Sequence, residues 1–220
     1  RHIEYMSDAD VAYDTACENQ VAYGEGYIRL LTEYESPNSF DQNIKIGRIR
    51  NSFSVYMDPT IQDPCGSDAK WCFVTEDVLL EDFERMFPDA QPVSSLQAQS
   101  VGNESYAPWL SVDTIRIADY YYVEHEKATL NLYYGNVSAM KGSPEDQQMA
   151  MNGMKPIKSR IVDVKKVKHC KINGFEVLES NDWAGDWIPV VRVVGNEFEI
   201  DGRIHVSGIV RNAKDAQRMY

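Results

Sequence analysis

The sequence predicts an α+β fold built mainly of antiparallel strands and hairpins, with a few short helices. Two dipeptides, Asn173-Gly174 and Asp201-Gly202, are strong short-range signals for hairpin turns. The stretch 114–134 alternates apolar and polar residues, which is typical of strands with one buried face. Apolar residues recur at helical spacing only over short segments, so we expect more of the chain in strands than in helices.

The N-terminal part is predicted to form a helix followed by a hairpin. Small and apolar residues at helical spacing define the helix: Val11, Ala12, Thr15, Ala16 and Asn19. Gly24 and Gly26 end the helix. GEGYIRL lacks the complete glycine pattern of a phosphate-binding loop, so we predict a tight turn here instead. The segments GYIRLLTEYES and IKIGRIRN then predict two paired strands, with Ile44, Ile46 and, less regularly, Ile49 facing inward.

The middle of the chain is predicted to contain a loop, a buried strand and a short helix. The segment DPTIQDPCGSD is rich in Pro, Asp and Gly, which predicts a loop. Its aspartates lack the spacing of a calcium-binding loop, so we expect them to stabilise turns. These aspartates are Asp58, Asp63 and Asp68. KWCFVTEDV is predicted as the strand, and LLEDFERMF as a helix that ends before Pro88. The apolar face of that helix comprises Leu79, Leu80, Phe83 and either Met86 or Phe87. Residues 89–108 are polar, and we expect them to form a surface excursion.

The remaining elements are two strands, a short helix, two hairpins and a last helix. TIRIADYYYVEHEKATLNLYYGN is predicted to form two strands. Ser143 and Pro144 are typical of a helix cap and a first helical position, so SPEDQQMAMNGM predicts a short helix. The two hairpins named above follow. In the final segment, Asn212 is predicted to cap a helix that continues to the end of the sequence.

The charge of the chain argues against a protein that reads duplex DNA through its phosphates. The formal net charge is −12, whereas such a protein needs a basic face. One stretch, 155–171, is basic and carries a net charge of +6, with Asp163 as its single acid. We interpret this stretch as either a solvated strand face or a contact between subunits.

Neither an enzyme nor a metal site is predicted, and we expect no cofactor. The four histidines lie far apart in the sequence, and no G-x-S-x-G or H-E-x-x-H motif is present. The four cysteines form no C-x-x-C pair, so we expect reduced thiols in an intracellular setting. Adjacent His169 and Cys170 should point to opposite faces of a strand. No apolar run approaches the roughly 18 residues that span a bilayer, so no membrane association is expected.

Several stretches, taken in order, resemble the portal proteins of short-tailed, podovirus-type bacteriophages. The first is GEGYIRLLTEYE, followed by a D-P loop that leads to SDAK. PWL and the strand IRIADYYY come next, then IPVVRVVG, and last GIVRNAKDAQR. The resemblance covers nearly the whole chain and depends on the order of the five motifs rather than on any one of them.

This resemblance implies a structural protein without catalytic residues. Portal proteins of this family are longer and form a dodecameric ring at one capsid vertex, through which DNA is packaged and ejected. Their partners are further copies of themselves, coat and scaffolding proteins, the terminase, and tail or head-completion proteins, and double-stranded DNA passes through the ring non-specifically. The implied location is the virion, at the portal vertex of the capsid, and the host cytoplasm during assembly. The gene could equally belong to a prophage. An acidic chain suits such a conduit, because a channel that must not hold DNA benefits from lacking a basic lining.

The resemblance also implies a division of this chain. Residues 1–211 correspond to an outward-projecting wing-like α+β domain, which could divide into two subdomains near 89–108 or 141–157. Residues 212–220 correspond to the start of a stem helix. We therefore expect the chain to be a fragment of a longer protein and to be monomeric by itself.

The sequence hypothesis for contact residues combines the basic stretch with an aromatic-rich strand. Lys165, Lys166, Lys168, Tyr120, Tyr121 and Tyr122 are expected to face neighbouring subunits or coat protein. Two alternatives stay open on the residues alone. The first is an aromatic-rich module of a phage or bacterial protein, in which the four tryptophans and thirteen tyrosines would bind sugar or nucleic acid. The second is a hydrolase with a hidden Ser/His/Asp triad.

Overall fold

A computed structural model describes residues 2–90, 114–135 and 137–219 and confirms the predicted α+β class. The helices of these residues are α1 (His2–Met6), α2 (Ala9–Tyr23), α3 (Leu80–Met86), α4 (Pro144–Met151) and α5 (Ile209–Met219). Their strands are β1 (Glu25–Tyr34), β2 (Gln42–Arg48), β3 (Val55–Met57), β4 (Trp71–Leu79), β5 (Thr114–Leu132), β6 (Ser138–Met140), β7 (Lys158–Ile172), β8 (Val177–Trp183), β9 (Val190–Val194), β10 (Asn196–Ile200) and β11 (Arg203–Ser207).

The strands form two sheets and a separate hairpin, and every pairing within the described ranges is antiparallel. The smaller sheet has the order β2-β1-β9. The larger sheet has the order β3-β4-β5-β7-β8, and β6 pairs with the far end of β5. Strands β10 and β11 pair only with each other in the part of the chain that is described. The three predicted hairpins, β1–β2, β7–β8 and β10–β11, are all confirmed.

The prediction of two strands between Thr114 and Leu132 is wrong, because β5 is one continuous strand of 19 residues. Its first part pairs with β4 from Thr114 to Tyr122, and β7 pairs with it from Ala118 to Leu132. The two partners overlap along β5, so one of them supports the backbone at every position. No Gly, Pro or Asn interrupts VEHEK, the segment where a turn would have been needed.

The main hydrophobic core contains residues from both sheets. Tyr27 of β1 and Val190 of β9 pack with Cys72 of β4, Tyr121 of β5 and Val167 of β7. A smaller cluster forms where α3 covers the larger sheet, around Phe83, Ile115 and Ile117. The core therefore joins the two sheets at the middle of β5, and the part of β5 nearest α3 has a cluster of its own.

Two glycines fix the junction between α2 and β1, as the tight-turn prediction required. Gly24 ends α2 with a φ of 100°, a left-handed conformation that favours glycine, and its N–H donates to the carbonyl of Gln20. Gly26 lies against α2 so closely that a Cβ there would stand 2.0 Å from the carbonyl oxygen of Ala16. A side chain at position 26 would push the helix off the sheet.

The loop between β3 and β4 is held by its aspartates, which confirms their turn-forming role. Asp58 accepts hydrogen bonds from the N–H groups of Thr60 and Lys70 and from the Thr60 hydroxyl. Asp63 accepts from Ser67 and Cys65, and Asp68 accepts from the N–H groups of Gln62 and Asp63. Burial alone would raise the pKa of Asp58, but these hydrogen bonds and the charge of Lys70 outweigh it and hold that pKa below its ordinary value.

Several local predictions differ from the structure. Ile44 is 52% exposed, Ile46 is half-buried and Ile49 is buried, because β2 approaches the core only toward its C-terminal end. In and around α3, Phe83 is buried but Leu79, Leu80 and Met86 are exposed. The last helix begins at Ile209 rather than at Asn212. The Ser143 cap of α4 is confirmed by its bond from the N–H of Asp146. Most of the predicted excursion at 89–108 lies outside the described residues.

The hydrogen bonds of Asp58 predict a graded loss of stability. Asp58 is itself buried, so Asp58→Ala removes three hydrogen bonds that hold an otherwise largely exposed loop, and the free energy of unfolding should fall by about 1–3 kcal/mol. Asp58→Asn keeps one carbonyl oxygen for Thr60, and its loss should be about half as large. Urea unfolding measures both, and the exposed Asp186→Ala should stay within about 0.5 kcal/mol of wild type. Equal stability of all three variants would contradict this role.

Candidate functional site

The most prominent candidate surface is the side of the larger sheet that faces away from the core. We call it the outer face, and its residues are Trp71 and Phe73 of β4, Tyr120, Tyr122, Glu124 and Glu126 of β5, and Lys166 and Lys168 of β7. Residues directly opposite one another in antiparallel strands share a face, and successive residues alternate. The register therefore brings this set together without any help from loops.

Four aromatic rings form a continuous row on the outer face. Phe73 stacks on Tyr120 with ring centroids 4.2 Å apart, and Tyr120 stacks on Tyr122 at 5.2 Å. Trp71 meets Phe73 edge-on at 5.7 Å. All four side chains are half-buried, so part of each ring remains accessible to solvent. A row of rigid, partly exposed aromatic rings is a surface well suited to contact with another protein.

Two ion pairs continue the row along β5 and β7. Lys168 Nζ lies 2.9 Å from Glu124, and Lys166 Nζ lies 2.7 Å from Glu126. The hydrogen bond to its glutamate raises the pKa of each lysine. Because these side chains are substantially exposed, each pair contributes little to stability. The basic stretch seen in the sequence is therefore partly balanced on this face by glutamates of β5.

The structure separates the six residues of the sequence hypothesis into two groups. Tyr120, Tyr122, Lys166 and Lys168 lie on the outer face. Tyr121 is only 5% exposed, stacks on His169 with ring centroids 4.6 Å apart and belongs to the core. Lys165 points the same way as Tyr121: its ammonium group lies 4.7 Å from the centroid of the Trp187 ring and donates to the carbonyl of Ser67.

A partly buried ionic network, which the sequence reasoning missed, lies behind the outer face. Asp119 of β5, whose side chain is 16% exposed, lies 2.9 Å from His169 Nε2 and 3.7 Å from Lys171 Nζ. Arg29 of β1 reaches it from the other sheet at 3.8 Å. Burial alone would raise the pKa of Asp119, but the His169 hydrogen bond and the nearby cations outweigh burial and hold that pKa below its ordinary value. The network links the two sheets beside the core.

One signal in the sequence could have indicated this network. Asp119 occupies an inward position in the alternation of β5, between Ile117 and Tyr121, both of which are buried. An acidic residue in such a position needs a cationic or hydrogen-bonding partner. The alternation alone does not say which residue supplies it, because Arg29 and His169 lie far from Asp119 in the sequence.

A second ionic cluster surrounds Arg192, which lies 2.7 Å from Glu25 and 3.3 Å from Glu197, and the histidines and cysteines of the described ranges add no metal centre. His125 pairs with Asp163 at 3.2 Å on an exposed part of the sheet. His169 and Cys170 lie on opposite faces, opposite Tyr121 and Tyr120 respectively, as predicted. Among residues 2–90, 114–135 and 137–219, no group of three or more His, Cys, Asp or Glu side chains is arranged to hold a metal ion. No helix in those ranges is both long and apolar enough to cross a bilayer.

The ionic network predicts a pH-dependent effect of Asp119→Asn. Near neutral pH the free energy of unfolding should fall by about 1–3 kcal/mol, because Arg29 and Lys171 lose the carboxylate that they approach. The pKa of Asp119 is lower in the folded protein than in the unfolded chain, so its contribution is complete above the ordinary aspartate pKa and disappears as pH falls through the folded value.

The difference between wild type and Asp119→Asn should therefore shrink below about pH 4. Urea unfolding at a series of pH values measures this difference. Asp163→Asn, which removes an exposed carboxylate, is the control and should change stability by less than about 0.5 kcal/mol. A difference for Asp119→Asn that stays constant into strong acid would contradict the assigned network.

Comparison with known proteins agrees with the order of motifs in the sequence. The family model described as "Phage P22-like portal protein" matches residues 1–220. A curated relative, the "Portal protein" of Acyrthosiphon pisum secondary endosymbiont phage 1, is 24% identical over 226 residues, which cover 97% of this chain and 31% of that protein. The chain thus spans about a third of the length of the curated relative. Because the family match extends over all of its residues, the chain belongs to the phage P22-like portal protein family.

Proposed function

We propose that this chain forms part of a portal ring, a dodecameric assembly at one capsid vertex through which DNA is packaged and ejected. Its role is structural, and terminase, tail or head-completion proteins, scaffolding and coat protein dock on the ring. The ring belongs to the virion and assembles in the host cytoplasm. The observation that carries this proposal is the family match over the whole chain.

The division of the chain follows from the same proposal. Residues 1–211 form the wing-like body, and α5 leads into a stem helix. Ile209, Val210 and Met219 support this, because these apolar side chains of α5 are 60%, 53% and 88% exposed. Apolar side chains on one helix with so little cover are expected to pack against other parts of a longer protein or against neighbouring subunits.

The charge and surface chemistry of the chain support a role in a conduit. A net charge of −12 disfavours retention of duplex DNA, so DNA can pass without binding specifically. An assembly built from many copies also needs surfaces that adhere to protein. The outer face supplies such a surface, because it combines the aromatic row with charged side chains whose pairs are weak enough to rearrange.

We assign the contact with a neighbouring subunit or coat protein to four outer-face residues: Tyr120, Tyr122, Lys166 and Lys168. Tyr121 and Lys165 act behind this surface, since Tyr121 is part of the core and Lys165 holds the loop at Ser67. The aromatic rings would provide most of the buried contact area, and the lysines and glutamates would set orientation and partner choice.

A charge-swap experiment in the complete portal protein tests this assignment. Lys166→Glu with Glu126→Lys, combined with Lys168→Glu with Glu124→Lys, keeps both ion pairs within the chain but reverses their direction. Asp182 of β8 lies opposite position 168, so the new carboxylate there should lower the free energy of unfolding by at most about 1 kcal/mol. Assembly should fall by about tenfold or more, because the reversed charges meet the wrong partner charges. Analytical ultracentrifugation measures ring formation, and incorporation into procapsids measures the contact with coat protein.

The control is a similar pair on the smaller sheet. Lys45 lies 3.1 Å from Glu33, with both side chains about as exposed as those of the outer face. Swapping these two residues should leave ring formation and incorporation unchanged. Normal assembly of the four-residue swap would remove the outer face from the proposal, and a defect of equal size in the control would show that any reversed surface pair disturbs assembly.

A further inference from the structure

A second candidate site is a cleft between the two sheets, which we call the arginine cleft. Arg29 of β1, Arg48 and Arg50 at the end of β2, and Arg116 of β5 line it, with Phe53 and Tyr56 as exposed aromatic walls. The cavity volume is about 490 Å³. Four arginines from different parts of the two sheets line this cleft, in a chain whose net charge is strongly negative.

The arginines exceed the acidic side chains of the cleft by two. Glu76 and Asp77 are its carboxylates. Asp77 is already held by Arg116 through two hydrogen bonds of 2.7 and 2.9 Å. Arg48 and Arg50 are both exposed, and neither makes an ion pair within the described ranges. Two guanidinium groups are therefore available to an anionic ligand, with Glu76 as the remaining opposing charge.

The inner wall of the cleft is shaped around Arg29. Gly47 lies directly opposite Arg29 in the β1–β2 pairing, and a Cβ at Gly47 would stand 3.0 Å from Arg29 Cγ and 3.3 Å from its Nε. Glycine thus leaves room for the guanidinium group to cross β2. Arg29 Nε is shielded from solvent and has no hydrogen-bond partner among the described residues, and the nearest carboxylate, Asp119, is 3.8 Å from Nη1. Arg29 thus adds a positive charge to the wall that its neighbours only partly compensate.

We propose that the arginine cleft binds an acidic segment of a neighbouring copy of this chain. The proposal rests on the proposed function, in which many copies meet in a ring. Arginine binds carboxylates through paired, charge-assisted hydrogen bonds, so Arg48 and Arg50 suit aspartate or glutamate side chains. Another copy is rich in such groups, since each carries 34 Asp and Glu against 22 Lys and Arg.

The surroundings of the cleft favour a polypeptide over DNA. Strand β3 pairs with β4 only from Cys72 to Val74, so beside Thr75, Glu76 and Asp77 one edge of β4 has no strand next to it in the described part of the chain. A peptide can use such an edge for main-chain hydrogen bonds. A duplex cannot enter a cavity of this size, and the charge of the chain around it repels phosphates.

Zero-length cross-linking of the complete portal protein tests this proposal. Arg48→Lys with Arg50→Lys keeps the charge and places amines where a carbodiimide can join them to a carboxylate in contact. Subunits grown on light and heavy nitrogen are mixed before assembly, cross-linked and digested for mass spectrometry. We expect peptides that join position 48 or 50 to an Asp or Glu of this chain other than Glu76 of the same cleft, with one light and one heavy partner in about half of them, as random mixing gives.

The pair formed by Lys45 and Glu33 is the internal control, because its link arises within one chain and must never carry mixed labels. Same-label links alone at positions 48 and 50 would overturn the proposal, because the acidic group would then belong to the same copy. Links only to another phage protein, or no link while the control link is recovered, would overturn it as well.

Charge reversal provides a second measurement. Arg48→Glu with Arg50→Glu should slow ring assembly by about tenfold or more without lowering thermal stability. Arg85→Glu with Lys141→Glu, two exposed positions outside the cleft, should assemble normally. If the cleft variant forms rings as well as wild type does, the proposed role of the cleft is wrong, but the proposed portal function is unaffected. The same conclusion follows if the cleft variant assembles normally and loses only affinity for DNA. Failure of the wild-type protein to form any ring would count against the proposed function itself.

Discussion

Fifteen consecutive residues of β5 pair in register with β7, and the rest of the structure depends on that register. A shift by one residue would exchange the two faces of the strand. If β7 were the strand that shifted, Val167 would leave the core, and Lys166 and Lys168 would enter it. Because the pairing is long, the same register that buries the core also arranges the aromatic row and its ion pairs on the opposite side. Stability and the proposed contact surface therefore have a common origin.

The ionic network at Asp119 adds specificity to this register. A buried carboxylate is tolerated only where cations and hydrogen-bond donors surround it, and here they come from β7 and from β1 in the other sheet. Hydrophobic packing is non-directional, whereas the contact between Arg29 and Asp119 constrains how the two sheets align. The same arginine lines the cleft proposed to receive an acidic segment, so the position of Arg29 links the packing of the sheets to that site.

The parts of the fold that sequence predicts well are those with local causes. The hairpins at Asn173-Gly174 and Asp201-Gly202, the glycine stop after α2 and the Ser143 cap each depend on a few adjacent residues. The single strand β5 has a distant cause, because β7 pairs with VEHEK and holds it extended where the chain would otherwise turn. Once that register is known, the alternation of side chains shows which residues of the larger sheet lie on the outer face and which face the core. The arginine cleft could not be predicted, because its residues converge from β1, β2 and β5 through sheet packing.

Cryo-electron microscopy of the assembled complete portal protein tests the central claim most directly, because it shows which faces of each subunit are covered. The outer face should lie at a boundary with an adjacent subunit or with coat protein, with Tyr122 and Lys168 in contact across it. The arginine cleft should contain an acidic segment of the neighbouring copy beside Arg48. A ring in which the outer face and the cleft are both open to solvent, or in which both line the channel, would contradict the claim that these surfaces hold the assembly together.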